Sequence, residues 1–446
     1  MSSEVLPFTV RRRDPELVCP AAPTPRGTKP LSDMDSQEHI RGLVPVVLFY
    51  RRGAGRMVSA VRHGLSAALV HYYPLAGRLR EVDGRKLVVD CTGEGVLLVE
   101  ADAEVCLWEL EAAVLRPPFP YMDKLLFQTE TEASSGVLNC PLLVIQVTRL
   151  LCGGFVFAFN YNHTMCDGIG LAQFLNAVAE LARGVPAVSV TPTWSRELLN
   201  ARIVIPPQHR GGQEAAAATA LVGLGDMVMQ SFTFSTADVA TMKKHLPPAP
   251  APAPVPTTFE TIAVFLWRAR TMALQIPLGQ DALLLIMANL RRAADMGLPA
   301  GYYGNACVAC TAMTKVASLY CGSSSSLAHL LGLVRKAKAA VTSSDESAIR
   351  SMVDQTVVRG QPYLLPLANN FLLTDLRHAG FHGVNFGWGD PVFAGPTSSY
   401  FGVSPIMAMN EQEEEAVVVP VVLPQSAMER FAAEMQRLCM PAASKL

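Results

Sequence analysis

The sequence has no apolar run long enough to cross a membrane, because Pro141, Arg149 and several glycines interrupt its longest apolar region. It also lacks an N-terminal charged segment followed by an apolar one, so we expect no secretory signal. Neither sign of charge is in excess, with 37 Lys plus Arg against 38 Asp plus Glu. This balance argues against a nucleic acid or an anionic membrane surface as the main partner.

The cysteines lack the regular spacing of a disulfide framework. Ten Cys are scattered over the chain, and we interpret them as reduced, intracellular thiols. The one Cys-x-x-Cys pair, Cys307 and Cys310, has no second pair and no nearby His, so we expect an ordinary strand rather than a zinc site. The sequence also has no Gly-rich phosphate loop. We expect no metal and no permanently bound cofactor.

What the sequence does have is enough length and apolar content for two domains. Its 446 residues exceed what one hydrophobic core usually holds, and 50% of them are apolar. Strand-like and helix-like segments alternate in both halves, which predicts a mixed α/β or α+β class. Because the periodicity fades before residue 228, we predict an N-terminal lobe over 1–205, a crossover loop over 206–228 and a C-terminal lobe over 229–446.

The most informative stretch is an apolar run that ends at a histidine. Residues 155–161 predict a buried strand that carries His163 at its end. Asp167 follows, and residues 169–183 have the apolar spacing of a helix. A histidine at such a junction can leave one ring nitrogen open to a cleft, which suits a general base. The alternative is a core histidine with Asp167 as its local partner, and the pattern alone leaves both open.

Two short motifs, one near mid-chain and one near the end, form a recognisable pair. They are His163-Thr-Met-Cys-Asp167-Gly168 and Asn385-Phe-Gly-Trp388-Gly389-Asp390-Pro391. Together they resemble the paired signature of the plant BAHD acyl-CoA-dependent acyltransferases. Further stretches agree in order along the chain: Leu31-Ser-Asp-Met-Asp-Ser-Gln-Glu, Tyr72-Tyr-Pro-Leu-Ala-Gly-Arg-Leu-Arg and Pro299-Ala-Gly-Tyr-Tyr-Gly-Asn305. Val137-Leu-Asn-Cys-Pro and Trp194-Ser-Arg-Glu-Leu are similar to the alcohol acyltransferase branch that contains benzyl alcohol O-benzoyltransferases.

The resemblance implies a two-lobed fold like that of chloramphenicol acetyltransferase, with a central tunnel between the lobes. Acyl-CoA would enter as co-substrate from one face and the acceptor from the other. His163 would remove the proton of an alcohol, whose oxygen attacks the thioester directly. The branch implies an ester made from benzoyl-CoA and benzyl alcohol by a monomer. The alternative is an amide made from an aromatic acyl-CoA and an amine.

The second motif offers a partner for the oxyanion that such a reaction generates. Trp388 carries an indole N–H, and Gly387 and Gly389 beside it allow close backbone approach, so we predict Trp388 as a catalytic donor. A purely structural role for this segment is the alternative. Asn385 stands where the family usually has Asp, and we expect a structural position to tolerate it. The alternation over residues 384–387 predicts a strand.

The residues that follow His163 have different expected roles. By resemblance, Asp167 pairs with an arginine of the second lobe, and Arg291 matches that position better than Arg292. Gly168 would permit close packing at the turn. A thiol hydrolase that uses Cys166 is a further possibility, which we discount because adjacent residues at such a turn diverge.

The substrate pockets are less legible than the motifs. Thr257 and Thr258 match a family Ser/Thr position near the pantetheine and adenosine of CoA, and a helix cap is the alternative. Thr374 and Phe381 lie upstream of the second motif, and we predict them in the acceptor pocket.

The last three residues, Ser444-Lys445-Leu446, form the tripeptide that the peroxisomal import receptor reads at a free C-terminus. We therefore expect a peroxisomal location, with the cytosol as the alternative. A catalytically silent binding protein on the same fold is another class of function. The intact His163 and Asp167 argue against it.

Overall fold

The computed structural model describes residues 7–53, 55–129, 136–202, 226–247, 254–293, 296–341, 346–359, 368–398, 406–409 and 415–439. Sixteen strands and ten α-helices lie in these ranges. Short 3-10 turns occur at Glu38–Ile40, Tyr73–Ala76, Asp83–Arg85, Arg196–Leu199, Leu290–Arg292 and Phe381–Gly383.

The first half of the chain supplies nine strands and four helices. In chain order they are β1 (Val10–Arg12), β2 (Glu16–Val18), β3 (Thr28–Pro30), β4 (Leu43–Tyr50), α1 (Met57–His71), β5 (Arg78–Val82), β6 (Lys86–Asp90), β7 (Val96–Ala103), α2 (Leu107–Val114), α3 (Met122–Leu125), β8 (Leu143–Leu150), β9 (Phe155–Asn162) and α4 (Gly168–Ala182).

The second half supplies the remaining seven strands and six helices. They are β10 (Met227–Ser235), α5 (Thr236–His245), α6 (Thr258–Ala273), β11 (Asp281–Asn289), β12 (Cys307–Lys315), α7 (Val316–Tyr320), α8 (Ser324–Ala339), α9 (Glu346–Arg359), β13 (Asn370–Leu373), β14 (Phe393–Pro396), β15 (Ile406–Met409), β16 (Glu415–Pro424) and α10 (Gln425–Cys439). Cys307 and Cys310 both lie on β12, as expected of an ordinary strand.

One ten-stranded sheet runs through both halves of the sequence. Its order is β1–β7–β8–β9–β4–β14–β15–β16–β10, with β2 also paired to β7. The halves join where β14 pairs antiparallel with β4, so that Phe393 lies opposite Phe49. Two three-stranded sheets, β3–β6–β5 and β12–β11–β13, flank it. Most of the predicted crossover loop lies outside the described residues, and the division into lobes at 206–228 stays a prediction.

Two large hydrophobic cores hold these layers together. The first packs α1 and α4 against β4, β8 and β9. The second surrounds α6, whose Trp267 is fully buried, and includes β11, α8 and α10. A third, smaller core covers the other face of β4 and β9 and includes residues of α2, α3 and β14. Strands that are covered on both faces carry apolar residues on both sides.

The strand β9 shows this double burial most clearly. It is buried along its whole length and lies between β4 and β8. Phe157 packs into the first core beneath α1 and α4, whereas Val156 and Ala158 face the third core on the other side of the sheet. The predicted strand is therefore confirmed, and the predicted helix follows it as α4. This arrangement places His163 just past the end of a central strand of the sheet.

The predicted strand at residues 384–387 is wrong. The chain makes a 3-10 turn at Phe381–Gly383 and continues as a loop. Val384 and Phe386 alternate with polar residues because both insert into the first core, and Tyr50 Oη donates a 2.7 Å hydrogen bond to the Val384 carbonyl. A loop anchored at alternate residues gives the same sequence pattern as a half-buried strand.

Candidate active site

His163 lies immediately after β9 and is partly exposed. Its backbone N–H donates to the Gly42 carbonyl over 3.0 Å, which ties the turn to the start of β4. Its ring lies 5.7 Å from the ring of Tyr161, measured between centroids. Among the described residues Nδ1 is buried and has no hydrogen-bond partner.

Asp167 and Arg291 form a buried, bidentate ion pair. Arg291 Nη1 and Nη2 lie 2.8 and 3.0 Å from the two carboxylate oxygens of Asp167. The same carboxylate accepts the backbone N–H groups of Gly170 and Ala306, each over 2.9 Å. Burial alone raises the pKa of Asp167, but the charge of Arg291 and these hydrogen bonds outweigh it, and the pKa falls below its usual value. Arg292 is exposed.

The ion pair connects the first motif to the segment before β12. Asp167 is the N-cap of α4, while Arg291 also donates to the carbonyls of Tyr302 and Gly304 over 2.9 and 2.6 Å. Gly170 approaches this segment so closely that a Cβ there would lie 2.0 Å from the Tyr303 carbonyl oxygen. The turn after His163 is therefore fixed by a contact between distant parts of the chain.

Three buried polar residues behind this turn received no role from the sequence. They are Asp35, Arg196 and Asn305; Arg196 and Asn305 donate to carbonyls of residues 163–165, and Asp35 holds both donors. Each belongs to one of the stretches that carried the family resemblance, which was the available signal. Asp35 and Arg196 both lie in polar segments of the sequence, and no local pattern shows that they meet.

The structure does not bring Trp388 to His163. The Trp388 ring packs edge-to-face on Phe155, with centroids 5.9 Å apart. Phe155 begins β9 and His163 follows its end, so about 26 Å of strand separates them at ~3.3 Å per residue. The prediction of Trp388 as an oxyanion donor is corrected on this geometry. Its packing against the first core fits the structural alternative.

Asn385 organises the loop that carries Trp388. Its side-chain oxygen accepts the backbone N–H groups of Gly387 and Gly389 over 2.8 and 3.3 Å. The backbone φ angles of the two glycines are +102° and +103°. Its Nδ2 donates to Asp390 over 3.1 Å. An aspartate here would face Asp390 with a second carboxylate, so the amide suits this loop.

The predicted CoA residues begin the helix α6. The Thr257 hydroxyl accepts the Glu260 N–H over 3.2 Å, and the Glu260 carboxylate accepts the Thr257 N–H over 3.1 Å, which is a capping box. Glu260 also pairs with Arg335 and Lys338. Thr257 is exposed and Thr258 partly so. The geometry thus shows the cap, and it leaves the CoA contact a prediction.

One of the two predicted acceptor residues lies close to the first motif. Phe381 is buried, and its ring lies 3.9 Å from the position that a Cβ on Gly168 would take. Leu376 approaches the same position to 3.0 Å, so Gly168 permits close packing there. Thr374 is partly buried just after β13. Of the two, the structure places Phe381 next to the turn that follows His163.

The thiol within the first motif is not activated. Cys166 is buried, and burial raises the pKa of its thiol well above the ordinary value. In the ranges that the structure describes, no three His, Cys, Asp or Glu side chains are grouped so as to hold a metal ion. Within those ranges there is also no helix with the length and apolarity of a membrane span.

Sequence comparisons extend over nearly the whole chain. The model of the Transferase family matches residues 8–438. Benzyl alcohol O-benzoyltransferase of Petunia hybrida is 43% identical, over 98% of this chain and 95% of that protein. The protein of the same name from Nicotiana tabacum is 44% identical, over 97% and 94%. Alcohol acyl transferase 1 allele GSa of Malus domestica is 41% identical, over 96% and 94%.

Comparisons with solved structures agree. The crystal structure of vinorine synthase matches with a TM-score of 0.73 at 21% identity, over 96% of this chain and 98% of that one. F. graminearum TRI101, complexed with Coenzyme A and T-2 mycotoxin, matches with a TM-score of 0.67 at 14% identity, over 92% and 98%. At these identities the likeness shows the fold, and the predicted mixed α/β class related to chloramphenicol acetyltransferase is confirmed.

Proposed function

The chain belongs to the BAHD family of acyl-CoA-dependent acyltransferases, and from that premise we propose that it makes benzyl benzoate from benzoyl-CoA and benzyl alcohol. Membership gives the coarser statement, which is O-acyl transfer with acyl-CoA as co-substrate. The donor and acceptor are supported by the petunia and tobacco relatives, which match over nearly their whole lengths.

The observation that carries the mechanism is the partly exposed imidazole of His163 on a turn whose backbone is held by hydrogen bonds. Nε2 removes the proton of the alcohol while the alcohol oxygen attacks the thioester carbonyl carbon. The tetrahedral intermediate then collapses, the C–S bond breaks, and the CoA sulfur leaves as a thiolate that takes the proton back from the imidazolium. No acyl-enzyme is needed, because the thioester is already activated. Asp167 does not contact the imidazole in this scheme; it holds the turn through Arg291.

The experiment compares the parent chain with His163→Ala and with His329→Ala. His329 is an exposed histidine on α8, so its replacement is a matched control. Each protein is incubated with benzoyl-CoA and benzyl alcohol, while ester is followed by mass and free thiol by absorbance. We expect ester and thiol in equal amounts from the parent and the control, and neither from His163→Ala.

Other outcomes refute parts of the proposal. Thiol without ester indicates hydrolysis or another acceptor. A product formed from amines but not from alcohols indicates the amide alternative. Activity with other acyl-CoA donors but not benzoyl-CoA removes the donor assignment and leaves the family reaction. Full activity in His163→Ala refutes the general base.

The substrate pockets are proposed at the residues already described. Thr257 and Thr258 are assigned to the CoA side, and Phe381 and Thr374 to the acceptor side. Thr257→Ala should raise the KM for acyl-CoA if the hydroxyl contacts CoA. If the hydroxyl acts only as a cap, the variant should lose about 1 kcal/mol of stability with an unchanged KM. Phe381→Leu should change the ranking of alcohols without changing the KM for acyl-CoA.

We propose that the enzyme is a monomer located in peroxisomes. Ser444-Lys445-Leu446 lies outside the described residues, and its sequence supports recognition by the peroxisomal import receptor. A fluorescent fusion that keeps this tripeptide at its C-terminus should enter peroxisomes, and a fusion without it should remain in the cytosol. Sedimentation of the purified chain should give the mass of one 48.0 kDa copy.

A further inference from the structure

We propose that Asp35, Arg196 and Asn305 form a cradle that positions the catalytic turn, and that Arg196 and Asn305 are positioning residues for His163. This inference rests on the proposed function of His163 as the base. The term cradle is used below for these three side chains. They come from three separated parts of the chain. Arg196 and Asn305 donate hydrogen bonds to backbone carbonyls of residues 163–165.

Asn305 holds the first two carbonyls of the turn. Its Nδ2 lies 2.9 Å from the His163 carbonyl oxygen and 3.3 Å from that of Thr164. The same nitrogen lies 2.8 Å from Asp35 Oδ1, and the backbone N–H of Asn305 donates to that oxygen over 3.0 Å. Because Asp35 grips Asn305 at two points, the amide has little freedom to turn away.

Arg196 holds the third carbonyl. Its Nη2 donates to the Met165 carbonyl over 2.8 Å, while Nη1 lies 2.8 Å from Asp35 Oδ2. The guanidinium stacks over the ring of Trp194, 4.4 Å from its centroid. Burial disfavours the Arg196 cation, but the charge of Asp35 outweighs that effect and raises its pKa.

Asp35 is the anchor of both donors. Its side chain is 0% exposed and that of Arg196 is 1% exposed. Ser32 donates two further hydrogen bonds to Asp35 Oδ2, from its hydroxyl over 2.6 Å and from its N–H over 3.1 Å. A buried carboxylate and a buried guanidinium are both costly unless paired. The pair is therefore held in one arrangement, and it transmits that arrangement to the turn.

The cradle and Gly42 hold the peptide groups on the two sides of His163. The His163 N–H is held by the Gly42 carbonyl, and its own carbonyl is held by Asn305. These two contacts fix both peptide groups that flank the Cα of His163, and hence the direction of its side chain. A displacement of a base by about 1 Å can reduce a rate by about 10²-fold. The cradle should therefore affect kcat more than KM.

The chain offers a matched control in another buried arginine. Arg268 on α6 pairs with Glu434 on α10, and their side chains are 9% and 15% exposed. This pair lies in the second core and has no contact with residues 163–165 among the described contacts. Arg196→Lys and Arg268→Lys each remove a guanidinium that contacts a carboxylate, but only the first also releases a carbonyl of the turn. Glu434 keeps Arg437 as a second partner in the control.

The experiment uses the full chain with Asn305→Ala, Arg196→Lys or Arg268→Lys. Asn305→Ala keeps the backbone bond to Asp35 and removes only the side-chain donor. Arg196→Lys keeps the charge that Asp35 needs, so it remains informative even where Asn305→Ala does not fold. For each folded protein, kcat and KM are measured by release of CoA thiol. Amide hydrogen exchange is measured in the peptide that contains residues 162–168.

We expect kcat to fall at least about tenfold in the two cradle variants, with both KM values within about twofold of the parent. Exchange at Thr164 and Met165 should accelerate in these variants only. Arg268→Lys should lose stability and keep its kcat. Unchanged exchange in both cradle variants overturns the cradle, and accelerated exchange with unchanged kcat overturns its role in catalysis. If the parent makes no ester at all, the proposed function fails while the exchange result still decides the cradle.

Discussion

Asp167→Asn should destabilise the fold far more than the loss of an exposed ion pair of similar geometry. The substitution keeps the shape of the side chain and removes its charge. Each carboxylate oxygen of Asp167 accepts one bond from Arg291 and one from a backbone N–H. Whichever oxygen becomes an NH₂ group then faces two donors, and the buried Arg291 loses its counter-charge. Breaking a buried pair from one side costs about 3–5 kcal/mol.

This magnitude is large against a total stability of about 5–15 kcal/mol. It can be measured by urea unfolding of Asp167→Asn, Arg291→Gln and the double variant, which form a double-mutant cycle. The double variant should lose about 0.5–3 kcal/mol less than the sum of the two single losses. Asp90→Asn is the control, because Asp90 pairs with Arg80 at 2.9 and 3.0 Å but on the exposed surface. Water and salt screen that pair, so its midpoint should change little.

The reasoning is refuted if Asp167→Asn and Asp90→Asn shift the urea midpoint by similar small amounts. It is also refuted if the two single losses simply add in the double variant, because the pair would then carry no coupling. Retention of full kcat in a strongly destabilised Asp167→Asn would leave the ion pair as a contributor to stability and remove its link to the catalytic turn.

Three further predictions test single side chains. Burial, followed by the charge of His163, lowers the pKa of His39 to about 4. Below the pKa of the unfolded state, the unfolded chain binds a proton that the folded chain does not. The free energy of unfolding therefore decreases as the pH is lowered. Between about pH 7 and pH 5 the parent should lose about 2 kcal/mol more unfolding free energy than His39→Gln, and equal losses contradict a partly buried, neutral imidazole. Trp388→Phe should keep kcat within about twofold, whereas a fall of about 10²–10³-fold would restore Trp388 as an oxyanion donor. Cys166→Ala should turn over like the parent because its buried thiol is not ionised, and loss of kcat with an intact fold would show otherwise.

The sequence was most informative where one local pattern has one structural cause. The continuous apolar run before His163 identifies β9, because a strand covered on both faces needs no polar alternation. The helix after Asp167 could be placed from its apolar spacing, and α4 begins within one residue of that position. Both features depend on burial of neighbouring residues, which composition over a short window reflects directly.

The same reasoning failed where different structures share one pattern. Val384 and Phe386 alternate like strand residues, yet they anchor a loop in the first core. Trp388 carries a suitable donor, but its distance from His163 depends on which end of β9 the loop meets. Pairing of β14 with β4 sets that position, and this pairing joins residues more than 340 positions apart. No local pattern contains such information.

Two ion pairs set the charge beside the turn that follows His163. They are Asp167 with Arg291 and Asp35 with Arg196. Both pairs are buried against the same turn, and each charge is compensated by its own partner. In the proposed reaction, His163 acquires a positive charge when it accepts a proton. Replacing either carboxylate by an amide would leave an uncompensated guanidinium near the turn, which disfavours the imidazolium because like charges repel. Removal of either arginine leaves a carboxylate and has the opposite electrostatic effect, although it too disturbs the turn. A slower proton transfer in the carboxylate variants than in the arginine variants, at equal exchange rates of the turn, would separate this charge effect from positioning.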